Sequence, residues 1–363
     1  LISEVDIKLQ WVRDLLMRRQ LDGVLVSRVC NFAWLTGGAV NYNSVAVDAG
    51  SSTILVTADC QYLLTNNIEA PRLEAEEGLA EVGFRLRVGP WDGPNPAYAA
   101  LVDGKCIGAD TPRAAAVDVG DALNQLRRNL LPEDIARFRT CGEACAAAMS
   151  AAIARVQPGM SEWEIAAALA AETLARGTLP IVNLIGTDER IFRYRHPFPT
   201  RKRLERQAML VLGGRRRGVV ASLTRLIYFG TLPEELQLKQ RACAQVDAAM
   251  IAATRPGKLV GHIFQTAKDA YASCGYAGEW QRHHQGGLAG YVPREILANA
   301  NSTARVETGQ VYAWNPSIAG VKSEDTLLVG TDGNEILTSI AGWPTVDCEV
   351  EGQSWQRPAI LTA

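Results

Sequence analysis

The sequence predicts an α/β unit followed by an α+β unit, and three observations carry that prediction. Helix-period and strand-length apolar segments alternate up to about Asn124, whereas beyond Leu179 the strands and helices fall into groups. The 363 residues exceed what one ordinary hydrophobic core organises. Between the two regimes, Leu130-Leu131-Pro132-Glu133-Asp134 carries a proline and an acidic pair, the chemistry that opens a helix. Units of 1–126 and 127–363 are expected.

Taken in order, Ile7, Trp11, Leu15 and Leu16 recur at helical spacing, and Leu21-Asp22-Gly23 closes the pattern before the apolar Val24-Leu25-Val26. Short strands are expected at Ala46-Val47, Thr53–Val56, Tyr62–Leu64 and Lys105–Gly108, with a solvated helix over Asn66–Gly78. The second unit opens with an alanine-rich helix to about Val156, broken by Pro158-Gly159. Ser161-Glu162-Trp163-Glu164 then reads as a capping box for the next helix. Strands follow at Pro180–Ile185, Met209–Leu212, Val219–Ala221 and Leu226–Phe229. A helix over Pro233–Ala253 and a strand-like Val260–Phe264 leading into another helix come next. The late strands are Val311–Trp314, Thr326–Val329 and Glu335–Thr338.

Composition narrows the class of protein. A formal net charge of −2, with no basic run longer than Arg215-Arg216-Arg217, argues against a nucleic-acid partner. Eight cysteines without a C-x-x-C pair indicate neither a structural zinc site nor a disulfide framework. No apolar run approaches the roughly 18 to 20 residues a membrane span needs, and no basic-then-apolar leader opens the chain, so a cytoplasmic protein is expected.

The densest chemistry lies between Arg282 and Thr326. His283 and His284 precede the pair Gly286-Gly287, which permits close approach of backbone and ligand. His196, held extended by Pro197, is a second imidazole able to exchange a proton at neutral pH. Glu324 reads either as an acid or as the partner of a cation such as Lys322 or Arg225. Arg225 and Arg294 are candidates for an anionic substrate group. Asn315 reads as a holder of a substrate carbonyl or a strand-end residue, and Tyr291 as a substrate contact or a core residue.

These segments, in this order, resemble the creatinase/aminopeptidase P/prolidase family. The likeness is carried by Leu131-Pro132-Glu133, Pro158-Gly159-Met160-Ser161-Glu162, His196-Pro197, Gly213 with Gly218 before Thr224-Arg225, and His284 with Gly287. Glu307-Thr308-Gly309-Gln310 and Glu324-Asp325-Thr326 complete it. The resemblance implies a pita-bread C-terminal domain behind a smaller α/β domain, a homodimer, and a two-metal centre of two aspartates, one histidine and two glutamates. Carried over, those ligands fall on Val211, Ser222, His284, Asn315 and Glu324, so three of the five are replaced, and the resemblance implies that His284 rather than His283 faces the pocket. A metal-free divergent member, without cofactor, is therefore expected.

Within the family, creatinase resembles such a member, since it cleaves a C–N bond without metal. Its catalytic histidine falls on His196, a second pocket histidine on His284 and a substrate arginine on Arg294, while its two guanidinium-gripping carboxylates fall on Thr224 and Asn315. The expectation is a histidine acid/base enzyme acting on a small carboxylate-bearing amide, lactam or amidine. His196, His284 and Glu324 would be catalytic, with Arg225, Arg294, Asn315, Ser222, Thr224, Tyr291 and Lys322 around the substrate. Three alternatives remain: a non-hydrolytic elimination or cyclisation in a biosynthetic pathway, an Xaa-Pro aminopeptidase-like metallopeptidase, and a pseudoenzyme that binds a peptide or partner.

Overall fold

The computed structural model describes residues 2–363. Its two compact units are the residues up to Asp134 together with Arg217–Val219, and Ile135–Arg216 with Val220–Ala363.

The first unit opens with the helix Glu4–Arg19, fixed at its start by a reciprocal capping box between Ser3 and Asp6. Its six strands are β1 (Gly23–Arg28), β2 (Ala49–Thr57), β3 (Gln61–Asn66), β4 (Arg85–Gly89), β5 (Ile107–Ala109) and β6 (Val117–Asp118), in spatial order β4-β3-β2-β1-β5-β6. The sheet is mixed: β1–β2 and β2–β3 run antiparallel, while β3–β4, β1–β5 and β5–β6 are parallel. Leu25, Leu55, Leu64, Ile107 and Ala109 pack together on it.

Local chemistry explains the departures from expectation here. Ala46-Val47 lies in a turn, and the strand starts only at Ala49. The acidic helix is confined to Ala70–Glu76 because the Asn66 side chain accepts from the Ile68 and Glu69 amides and holds that segment in a turn. A helix at Val29–Leu35 had no periodic signal, since every residue in it is buried.

In the second unit, the helices Pro132–Ile153, which straddles the boundary, and Glu162–Leu174 lead into β7 (Leu179–Thr187), β8 (Gln207–Arg216) and β9 (Val219–Tyr228). With Leu361–Thr362 these make a four-stranded sheet, β7 and β8 pairing antiparallel. Five more strands form a second sheet ordered β11-β10-β12-β15-β16: β10 (Gly286–Ala289), β11 (Ile296–Leu297), β12 (Val311–Trp314), β15 (Asp325–Val329) and β16 (Asn334–Ile336). Between β12 and β15, β13 (Ser317–Ile318) and β14 (Val321–Lys322) form a short hairpin whose register pairs Ser317 with Lys322.

The Ser161–Glu164 capping box forms as the sequence predicts. The two strands expected around Ser222–Arg225 are instead one continuous, wholly buried strand, β9. Val260–Ser273 is helical from its first residue, not strand-like. An apolar core with Met209, Val211, Met250, Tyr312 and Trp314 lies against the sheets. The Gly286-Gly287 pair is required by the sheet itself. Both have positive φ, and a Cβ at either would collide with the carbonyl of Ala313 or of Ile296 on the flanking strands.

Candidate active site

β8 and β9 bring Val211, Gly213 and Ser222 to one wall of a cavity of about 120 Å³. The opposite walls are built by His196, His284, Arg294, Asn315, Lys322 and Glu324. Glu324 sits just before β15 and is tied to β9 by its backbone, the Thr224 amide donating to the Glu324 carbonyl at 3.1 Å. Its carboxylate is enclosed: the Thr224 hydroxyl donates at 2.6 Å, the Lys322 ammonium lies at 2.8 Å and the Arg294 guanidinium at 3.3 Å. Burial pushes this carboxyl up, but Lys322 and then Arg294 outweigh it and hold the group at about 2, so it is ionised at neutral pH.

Three imidazoles gather beside these charges. His196 Nε2 lies 3.1 Å from His283 Nε2, and His283 Nδ1 lies 3.2 Å from the Ser317 hydroxyl. The His283 and His284 ring centroids are 4.6 Å apart. Burial, followed by the charge of Lys322, holds His196 below the ordinary imidazole value. Burial also drives His283 down strongly, and with Arg294 it brings His284 to about 4. All three rings are therefore neutral near pH 7. Three polar atoms around the cavity are buried without a hydrogen-bond partner: His284 Nδ1, Arg294 Nε and Asn315 Oδ1.

The structure thus brings together His196, His284, Glu324, Ser222, Arg294, Asn315 and Lys322. Thr224 reaches the site only through Glu324. Two expected substrate contacts lie elsewhere. Arg225 points to the other side of β9, where its guanidinium meets Asp325 at 2.8 Å and the Thr338 carbonyl at 3.0 Å. Tyr291 is fully buried outside the cavity, its hydroxyl 3.4 Å from Arg137 Nη2. Of the other cations, Arg195 is ion-paired with Glu279. Sequence reasoning ranked His283 below His284. The signal missed was that an imidazole turned from the cavity can still take part by bonding to the one that lines it.

The geometry tests the implied two-metal centre. All five positions carried over from the family surround this one cavity, so the register of the resemblance is supported. The donors at those positions are nevertheless one imidazole, one carboxylate, an alcohol, an amide and the hydrocarbon of Val211. The single carboxylate already has two cations on it. Two divalent ions would place about four positive charges against one shared anion, so the residues do not fit that centre.

The profile of metallopeptidase family M24 matches residues 136–331. An uncharacterized peptidase of Staphylococcus aureus is 24% identical over 360 residues, spanning 91% of this chain and 98% of its own. The prolidase of Pyrococcus horikoshii superposes with a TM-score of 0.78 at 20% identity, covering 92% of this chain and 98% of the prolidase. An Xaa-Pro dipeptidase of Bacillus anthracis gives 0.79 at 17%, covering 99% and 100%. These likenesses extend through both units, and the architecture is the pita-bread fold with its α/β companion. With more than half its length matched by the family profile, the chain belongs to metallopeptidase family M24.

Proposed function

We propose that this family member is a hydrolase that cleaves a C–N bond of a small carboxylate-bearing amide, lactam or amidine by imidazole acid/base catalysis, without the two-metal centre. The observation that carries the reading is the replacement of that centre's ligands around an otherwise preserved cavity, with Lys322 and Arg294 sharing Glu324 there.

The chain of hydrogen bonds sets the chemistry. When His283 Nδ1–H donates to the Ser317 hydroxyl, His283 Nε2 accepts the Nε2–H of His196. His196 Nδ1 is then a lone pair able to take a proton from water. The hydroxide adds to the substrate carbon, forming the C–O bond. Negative charge develops on the carbonyl oxygen or amidine nitrogen, beside the Lys322 ammonium. Collapse breaks the C–N bond as His196 returns its proton to the departing nitrogen. Glu324 is ionised and enclosed, so its role is to position the two cations rather than to donate a proton. Arg294 Nε–H and Asn315 Oδ1 offer a donor for the substrate carboxylate and an acceptor for an N–H.

A second reading, an Xaa-Pro peptidase, is favoured by the names of the two structural neighbours. An Xaa-Pro dipeptide is itself a small carboxylate-bearing amide, so the two readings differ chiefly in whether metal is required. Activity on a panel of amides, lactams and prolyl dipeptides, with and without chelator, separates them. Chelator-resistant turnover that is abolished in His196→Ala, with the far-UV circular dichroism unchanged, is expected. About two equivalents of metal with chelator-sensitive turnover would establish the peptidase reading instead.

A further inference from the structure

We infer that His196, His283 and His284 together form a three-nitrogen site for a single ion of the zinc type, a ligand set that shares only His284 with the two-metal centre of the family. One ring nitrogen from each can be chosen so that all lie within 4.8 Å of one another. His196 Nε2 and His283 Nε2, at 3.1 Å, are already close to the spacing of roughly 3.3 Å that two nitrogens take at about 2.0–2.1 Å from a tetrahedral zinc. One bond must be given up, the weak one between those two imidazoles: the His196 proton moves from Nε2 to Nδ1, and zinc replaces that bond with two stronger ones. His284 closes the set by turning its ring. Its Nδ1 has no hydrogen-bond partner, so that motion breaks nothing at that atom.

The surroundings have the form of a metal site's outer layer. Ser317 holds His283 Nδ1 and so presents Nε2 as the free lone pair, and Ser317 is itself fixed by the buried Tyr271 hydroxyl, which accepts from the Ser317 amide at 2.8 Å. Of the neighbouring cations, Arg195 is paired with Glu279, while Lys322 and Arg294 share Glu324 and leave one positive charge beside the rings, which favours an anion as the fourth ligand of the ion. Three neutral nitrogens without a carboxylate select against magnesium and calcium, which require oxygen ligands, and suit zinc, cobalt, nickel or copper. The fourth position is left for water, chloride or a substrate carboxylate. None of Val211, Ser222, Asn315 and Glu324 takes part. The effect on turnover rests on the function proposed above, whereas the binding does not. A bound ion engages His196 and the imidazole that orients it, so zinc is a reversible inhibitor.

The test is a calorimetric titration of the full chain with zinc chloride, repeated on His283→Ala and on His196→Ala, the latter at an exposed position whose loss does not threaten the fold. One equivalent bound by the parent and lost in both variants is expected, together with a roughly 10–100-fold weakening in Ser317→Ala. Cobalt(II) in place of zinc should give visible d–d bands of a four-coordinate site without a sulfur-to-metal charge-transfer band. Unchanged binding in the variants, no saturable binding by the parent, or a charge-transfer band from one of the eight cysteines would overturn the site. Turnover should fall in proportion to zinc bound and return with chelator. Turnover that rises with zinc bound at these histidines would keep the site and overturn both its inhibitory role and the metal-free mechanism.

Discussion

Glu324 and Asp325 are neighbours in sequence, each caught between two cations, and they do opposite work. Asp325 faces away from the cavity into a closed set: Arg225 at 2.8 Å, Arg357 at 2.7 Å, and beyond Arg357 a second carboxylate, Asp247, also at 2.7 Å. Two acids balance two arginines there, and every one of these side chains is at most 3% exposed. Glu324 faces the cavity with Lys322 and Arg294, one acid for two bases. The core set is neutral as it stands. The cavity set carries an excess positive charge beside open space, where an anionic ligand would be held, and that distinguishes a site from a structural ion network when the residue types are the same.

The largest effect that would sharpen this contrast is on the core side. Arg225→Met leaves the buried Asp325 with Arg357 as its one cation, and a loss of about 3–5 kcal/mol in unfolding free energy is expected from urea denaturation. A variant as stable as the parent but catalytically dead would return Arg225 to the substrate. On the cavity side, Lys322→Met removes the charge opposite the developing anion. Turnover should fall about 10²–10³-fold, and since Glu324 is then left with Arg294 as its one cation, stability falls as well; kcat of the folded protein is read beside the same urea curve. A folded Lys322→Met variant with the parental kcat would erase the distinction.

Acid separates the sets further. The folded-state pKa of Glu324 is depressed to about 2 from an ordinary 4.5, because Lys322 and Arg294 outweigh its burial. Between those values the unfolded chain binds a proton that the folded protein does not. The contribution is therefore fully present above pH 4.5 and lost as pH falls towards 2, at most roughly 3 kcal/mol in all. In Lys322→Met the folded-state pKa moves up towards 4.5, so the loss should be smaller and should end at higher pH, as measured by chemical denaturation between pH 2 and 6. An unchanged acid limb would mean that Lys322 does not hold the carboxylate.

How much of this could be read from the sequence depended on how far apart the interacting residues lie. The Ser161–Glu164 cap is a three-residue relation and was legible. So were the five positions around the cavity, through a family resemblance that fixes their spacing. The strand β9 was not, because Ser222, Thr224 and Arg225 look like a polar break. Each is satisfied from about a hundred residues away: the Thr326 hydroxyl bonds the backbone of Ser222, while Glu324 and Asp325 receive Thr224 and Arg225. Polar residues inside a buried strand read as a loop until their partners are known. Tyr291 misled for the converse reason, since nothing local to it signals the arginine from the helix Pro132–Ile153 that meets its hydroxyl.

The smallest effect concerns the end of the imidazole chain furthest from the substrate. Ser317 is not itself among the residues lining the cavity, yet it selects which His283 nitrogen carries the proton, and through His283 which nitrogen of His196 is a base. Ser317→Ala removes one hydrogen bond worth about 0.5–1.5 kcal/mol, so turnover should fall by no more than about tenfold. A purely structural loss would lower the unfolding free energy and leave the histidine tautomers alone. A positioning loss moves them. Nitrogen-15 shifts of the His283 ring should report a single Nδ1–H form in the parent and a mixture of tautomers in Ser317→Ala. Identical spectra accompanied by reduced turnover would break the relay and leave His196 to act without His283.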